Sequence, residues 1–326
     1  MLNSNNYSKE QKRDILKAKI KKGFLGTREK NGVLTQAIIY LLLICIGFVY
    51  LYPLIYMFIT SIMSLEDLLD ASSKWIPSGV YIKNYIDAFK VMNFKESVID
   101  SFLIAFIPSI CQVVICSFAG YGFARYNFRG KKILMAIMIL TFVIPPQITM
   151  MPTYLLYSDL KLIGSIKALI YPALLGQGFK SAIFILIYYQ FYKQIPNSLI
   201  EAAQIDGAGH IRTYFSIAIR SVIPAMIVVF LFSFVWYWNE TYLTGLYLGN
   251  TGIGAKNTMS TLLLELKQFE ATYTKMYPVT DNSPDKLNEA IKMAGTIVAT
   301  APLLILGFVL QRHLTESIDS SGITGE

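Results

Sequence analysis

Five stretches of this chain contain no Asp, Glu, Lys or Arg: residues 31–65, 101–124, 133–158, 221–239 and 293–311. A helix needs about 20 apolar residues to cross a hydrocarbon core. A sixth stretch, 168–192, is interrupted only by Lys180. Leu, Ile, Phe and Ala fill these runs without the alternation of a membrane barrel. The expectation is an all-α membrane protein with six spanning helices, near residues 36–62, 98–122, 133–153, 169–192, 221–244 and 292–311. Buried helices of one large soluble protein are the alternative. The composition opposes it: 15% of residues are charged, against about 25% in soluble domains.

Lys and Arg set the orientation. Residues 1–33, 122–132, 193–220 and 312–326 together hold 17 basic and 8 acidic residues, whereas 63–96, 154–167 and 245–292 hold 11 of each. Both termini are therefore expected in the cytoplasm. The division is a basic arm at 1–33, a six-helix domain at 34–315 and a tail at 316–326. The arm is either a topology determinant or a segment resting on anionic lipid. It is too long and polar, and the run after it too extended, for a cleavable signal peptide. Cys45, Cys111 and Cys116 fall inside predicted spans, with no metal or disulfide spacing.

Residues 195–224 form the one long polar interruption on the cytoplasmic side. Ser198 and Glu201 have the spacing of a capping box. A short helix is expected to follow, with Ala202 and Ala203 giving it a low profile. Gly207 then stands where a helix stop needs a left-handed residue, and residues 208–219 restart helically into the fifth span. Such a loop either docks on another protein or lies along the bilayer surface.

Glu201-Ala202-Ala203, then Gly207, then Ile217 resembles the EAA loop of permease subunits in binding-protein-dependent ABC importers. Ile195-Pro196 and Asp206-Gly207-Ala208 are similar to the carbohydrate branch. Gly120 to Arg125 with Phe128 to Lys131, Ile144-Pro145-Pro146-Gln147, Trp238-Asn239-Glu240 and Ala301-Pro302-Leu303 fit the same pattern over most of residues 34–326. The chain is thus identified as a member of the maltose-transporter G-type permease family. It departs from the pattern at Arg220, where a proline is usual. The resemblance implies the type I importer architecture, with Ser198, Glu201, Ala202, Ala203, Asp206, Gly207 and Ile217 engaging an ATPase. It also implies a second permease, two ATPase subunits and an external solute-binding protein, in a bacterial cell membrane. The outer loop after residue 245 is where the family meets its binding protein, so Asn250, Thr251 and Gly252 are contact candidates.

A permease also needs polar groups at membrane depth. Lys180 follows Gly176-Gln177-Gly178 in the fourth span. A lysine there costs roughly 2.5–3.5 kcal/mol on insertion scales, so it should face a cavity or a partner. The two glycines suggest a broken helix, tolerated only where backbone lines protein or water. Gln177, Lys180, Trp238, Asn239 and Glu240 are the path candidates, with Trp236 weighed beside Trp238, although Trp at this position also serves as an interfacial anchor. An intramembrane enzyme is disfavoured: His210 and His313 lack any nucleophile or metal pattern, and no metal site is expected. No Gly-x4-Gly-Lys-Ser/Thr loop occurs, so this chain should bind no cofactor, ATP and Mg belonging to the ATPase subunits. A stand-alone secondary transporter would show internal repeats, and none is evident.

Overall fold

A computed structural model describes residues 26–27, 30–70, 75–249, 259–278 and 287–320. Most of the basic arm and the contact candidates Asn250, Thr251 and Gly252 lie outside the described residues. The chain divides after Val80 into two units.

The first unit carries a two-residue hairpin, Gly26–Thr27 with Lys30–Asn31, then α1 (Val33–Ser61) and α2 (Leu65–Leu69). Ile38, Leu41, Ile44 and Phe48 on α1 are exposed, with no charge along 29 residues. A surface of that kind is stable only against lipid or another apolar partner. Ser64 starts α2 with a capping box: its hydroxyl accepts from the Asp67 amide at 3.1 Å, and the Asp67 carboxylate accepts from the Ser64 amide at 3.2 Å. The Ser78 hydroxyl donates to the same carboxylate at 2.6 Å, which holds the Asp67 pKa below the usual carboxylate value.

The second unit is helical throughout its described residues. Its elements are α3 (Lys83–Val91), α4 (Phe94–Arg125), α5 (Lys131–Val143), α6 (Pro146–Asp159), α7 (Lys167–Leu174), α8 (Ser181–Gln194), α9 (Asn197–Ile205) and α10 (His210–Ser221). There follow α11 (Ile223–Asn239), α12 (Tyr242–Leu248), α13 (Leu262–Lys267), α14 (Phe269–Met276) and α15 (Glu289–Ser320). Among the described residues three helices are long and apolar enough to cross a membrane: α1, α4 and the 289–309 part of α15. The number becomes five if α5 with α6, and α10 with α11, each count as one bent span.

The bends follow from proline and glycine. The third predicted span is not one straight helix, because α5 and α6 meet at 96°. Ile144, ahead of Pro145-Pro146, is extended at ψ 121°. Proline disfavours helical geometry in the residue before it and removes a backbone donor. The fourth region is two helices, parted at Leu175 to Lys180, where Gly176 and Lys180 take φ of 72° and 60°. Residues 208–219 do not run straight into the fifth span either: the chain turns 76° at Val222, just before Ile223-Pro224.

α4 is the axis of this unit. Its inner face carries Ser97, Ser101, Ala105, Ser109, Gln112, Cys116 and Gly120, all buried or helix-packed. Small residues at three- and four-residue spacing let neighbouring helices approach closely. Towards its start α4 meets a core that includes Phe234, Trp238, Leu248, Phe269 and Val298. Towards its end it meets α8, α10 and α11 through Phe184, Tyr188, Tyr192, Tyr214 and Val229. Gly120 marks the closest approach: a Cβ there would stand 2.5 Å from Tyr188 Cβ and 3.1 Å from the Ile185 carbonyl oxygen. Gly120→Val is expected to push α4 off α8 and destabilise the fold by roughly 1–3 kcal/mol. Gly122→Val, where a Cβ meets nothing within 4 Å, is the control. A fall in the thermal midpoint of the detergent-solubilised protein for the first variant only is the result expected.

Candidate functional site

The break between α7 and α8 frees backbone groups from helical pairing, and each needs another partner. Gln112, fully buried on α4, supplies one. Its amide donates to the Phe179 carbonyl at 2.9 Å and to the Ser181 hydroxyl at 2.8 Å, and its own carbonyl accepts from the Ser233 hydroxyl of α11. The Tyr237 hydroxyl accepts from the Phe179 amide at 3.4 Å. Gly178 is where these groups close in, since a Cβ there would meet Gln112 Nε2 at 2.5 Å and Tyr237 Oη at 2.7 Å. The anchored break sets Lys180 in a left-handed conformation at the start of α8. The Lys180 ammonium lies 4.9 Å from the Trp236 ring centre and 5.0 Å from that of Phe142.

Further along α4, the Ser117 hydroxyl shares hydrogen bonds with Tyr192 of α8 at 2.6 Å and Tyr214 of α10 at 2.8 Å. Tyr121 packs edge-on against both rings, at 5.2 and 5.0 Å. Tyr214 begins a π-helical turn, Tyr214–Ala218, a local widening that recurs at functional sites. Beside this knot runs an aromatic groove of about 220 Å³ between Phe118, Tyr126, His210 and Ile211.

At its end α4 reaches the loop itself. Arg125 donates to the Asn197 side-chain oxygen at 2.7 Å and to the Ile195 carbonyl at 2.5 Å, pinning the start of α9. The far end of α9 is a Schellman turn. Gly207, at φ 80°, donates to Gln204 O at 3.0 Å, and Ala208 donates to Ala203 O at 2.9 Å. A Cβ at Gly207 would meet nothing within 4 Å, so conformation alone demands glycine. Ile205 and Ile211 stand on the outer surface of this helix–turn–helix, 87% and 75% exposed, among the exposed charges of Glu201 and Asp206.

The sequence profile of the binding-protein-dependent transport system inner membrane component family matches residues 112–320. The chain belongs to this family. It is the permease subunit of a binding-protein-dependent ABC importer, and hence a multi-pass membrane transporter subunit rather than a catalytic enzyme. It is 28% identical over 232 residues to the osmoprotective compounds uptake permease protein GgtD of Synechocystis, covering 69% of this chain and 77% of that one. It is 28% identical over 294 residues to the polygalacturonan/rhamnogalacturonan transport system permease protein YtcP of Bacillus subtilis, covering 90% and 99%. A chain of a bacterial ABC transporter involved in the import of the acidic polysaccharide alginate shares the fold, with TM-score 0.66, 19% identity and coverage of 95% and 99%.

Within this permease fold the predicted loop residues are adjacent but differ in role. Glu201, Ala202, Asp206 and Gly207 are exposed on α9 and its turn. Ala203 is buried, at 8% exposure, and faces the chain's own core rather than the outer surface. Ser198 is not the helix cap: α9 starts a residue earlier, and Pro196, at φ −58° and ψ 136°, leads into it without any side-chain cap. Proline is pre-set for that φ, and Arg125 already holds the adjoining carbonyl, so the Ser-x-x-Glu pattern is not used. Ile217 lies inside the π-helical turn, where its carbonyl accepts from the Ser221 hydroxyl at 2.9 Å.

The path candidates separate. Lys180 stands at the helix break with Gln177 exposed nearby. Trp238 is 5% exposed and stacks on Phe234 in the core, so it lines no surface of this chain. The Glu240 carboxylate accepts from the Tyr242 and Leu243 amides at 2.8 and 2.9 Å, capping α12. Asn239 is exposed beside it and meets none of the others. Sequence reasoning missed Gln112, Ser117, Phe142 and Tyr214 as site residues. Gln112 alone carried a signal, as an amide in a charge-free run.

Arg125→Ala removes both hydrogen bonds at the start of α9, a loss of about 1.5 kcal/mol. Amide exchange over residues 195–207 is expected to quicken about tenfold with little change in the global thermal midpoint; equal loosening of α4 would show that Arg125 holds more than the loop.

Proposed function

We propose that this permease forms one half of a carbohydrate path, paired with a second, similar permease, two ATPase subunits and an external solute-binding protein. Both termini lie in the cytoplasm, as the excess of Lys and Arg in the loops on that side requires. ATP and Mg2+ are held by the ATPase subunits. The outer surface of α9, with Glu201, Ala202, Asp206 and Ile205, seats on the ATPase dimer, and closure of that dimer on nucleotide displaces it.

The observation that carries this reading is the chain of fixed contacts behind α9. Arg125 ties its start to the end of α4, and the Schellman turn at Gly207 passes its motion to α10. Ser117 then joins α10 to α8 and α4 through Tyr214 and Tyr192. A push on α9 therefore moves three helices together. Packed interfaces of this kind switch between discrete arrangements, and the loaded binding protein and ATP bias the inward and outward states. The carbohydrate class is supported by relatives named for polygalacturonan and rhamnogalacturonan transport and by the fold partner named for alginate import.

Uptake of labelled mono- and oligosaccharides in cells lacking this protein tests the reading. Wild type restores uptake of at least one sugar. Gly207→Asp reaches the membrane in normal amount but leaves uptake near background while the ATPase still turns over. Normal uptake by Gly207→Asp would sink the coupling role of the loop. Loss of no sugar in the deletion strain would sink the carbohydrate class.

A further inference from the structure

Two helix breaks meet at one place. α5 ends at Val143, one residue after Phe142, and α8 begins after Lys180. Trp236 of α11 completes the cluster. Phe142 and Trp236 are each 43% exposed, so their rings are not filler for this chain's core. The Lys180 ammonium sits against both, at 5.0 and 4.9 Å from the ring centres. Aromatic faces hold a cation but leave it charged. Among the described residues no carboxylate lies within ion-pair distance of it.

Three facts make this a site rather than a stray lysine. Lys180 falls in the fourth predicted span, where a cation is costly unless it faces water or a partner rather than lipid tails. Lys180 takes a left-handed φ of 60°, which is unfavourable for a residue with a Cβ. That conformation is imposed by buried groups from two other helices, Gln112 and Tyr237, through the Phe179 backbone. The fold thus spends its buried polar groups on presenting one unpaired ammonium between two half-exposed rings.

The ligand chemistry follows from the parts. Ring faces suit the C–H face of a pyranose, and an ammonium between them suits a carboxylate carried on that sugar. Resting on the carbohydrate reading above, we infer that Lys180, Trp236 and Phe142 form a transit subsite for acidic sugars, the ammonium pairing with a uronate carboxylate as the chain passes. A neutral sugar would gain the stacking but not the ion pair, so the subsite sets the preferred charge of the cargo.

The test uses the complete transporter, with its partner subunits and binding protein, in proteoliposomes. The probes are labelled trisaccharides of galacturonate, glucuronate and mannuronate, each beside its carboxyl-reduced neutral counterpart. Wild type is expected to take up at least one uronate trisaccharide about tenfold faster than its counterpart. Lys180→Gln should remove that preference by slowing the acidic sugar about tenfold, and the neutral sugar by less than about threefold. Lys180→Arg, which keeps the charge, should stay within about threefold of wild type on the acidic sugar. Preferred uptake of neutral sugars by wild type would overturn the inference and leave the carbohydrate reading intact, whereas uptake of neither class would overturn both. Equal loss of both sugars in Lys180→Gln, with the second permease no longer co-purifying, would also overturn it. The ammonium would then belong to a carboxylate of that partner.

Discussion

A buried amide on α4 makes the interior of this permease possible. The α7–α8 break frees peptide groups among buried side chains, where an unsatisfied polar group costs about 1–3 kcal/mol. Gln112 donates to the Phe179 carbonyl and to Ser181 and accepts from Ser233. With those bonds made, the chain can stop being helical at Gly176 and resume at Ser181. Without them the fourth region would be driven towards a continuous helix, and Lys180 would lose its place against Phe142 and Trp236.

The same helix carries the second polar node. Ser117 stands five residues after Gln112, about 7.5 Å along the axis at 1.5 Å per residue. One node fixes the broken helix that presents Lys180; the other fixes the two tyrosines behind α9 and α10. Arg125 at the end of α4 pins the loop itself. A single helix thus links the exposed surface of α9 with Lys180 and its aromatic neighbours. Close packing along its small-residue face, with Gly120 against Tyr188, keeps that linkage from being lost in compliant side chains.

Charge-free runs and the Glu201 to Gly207 pattern made the class of the protein, the helical loop and its left-handed turn legible in the sequence. Gly207 was readable because only its φ matters, and φ preference is a local property. The bends were half readable: Pro145-Pro146 and Ile223-Pro224 are breakers, but hydropathy runs straight through them, so residues 133–153 and 221–244 looked like unbroken spans. Tertiary partners were not readable at all. Ser198 has the spacing of a cap, yet Pro196 and Arg125, which lies 70 positions before the carbonyl it binds, organise that helix start instead. Meanwhile the capping box that does form, at Ser64 and Asp67, lies in a stretch read only as connector. Trp238 and Trp236 are two residues apart on one helix and so point to different faces, one into the core and one towards Lys180. Composition treats them alike.

The account turns on α9 docking against another protein rather than lying on the bilayer. Placing a photo-crosslinking amino acid at Ile205, 87% exposed at the end of that helix, in the assembled transporter tests this directly. Irradiation should give one covalent adduct between this chain and the ATPase subunit, with a yield that changes when ATP is added. Adducts with phospholipid, in the same yield with and without the ATPase subunits, would contradict it.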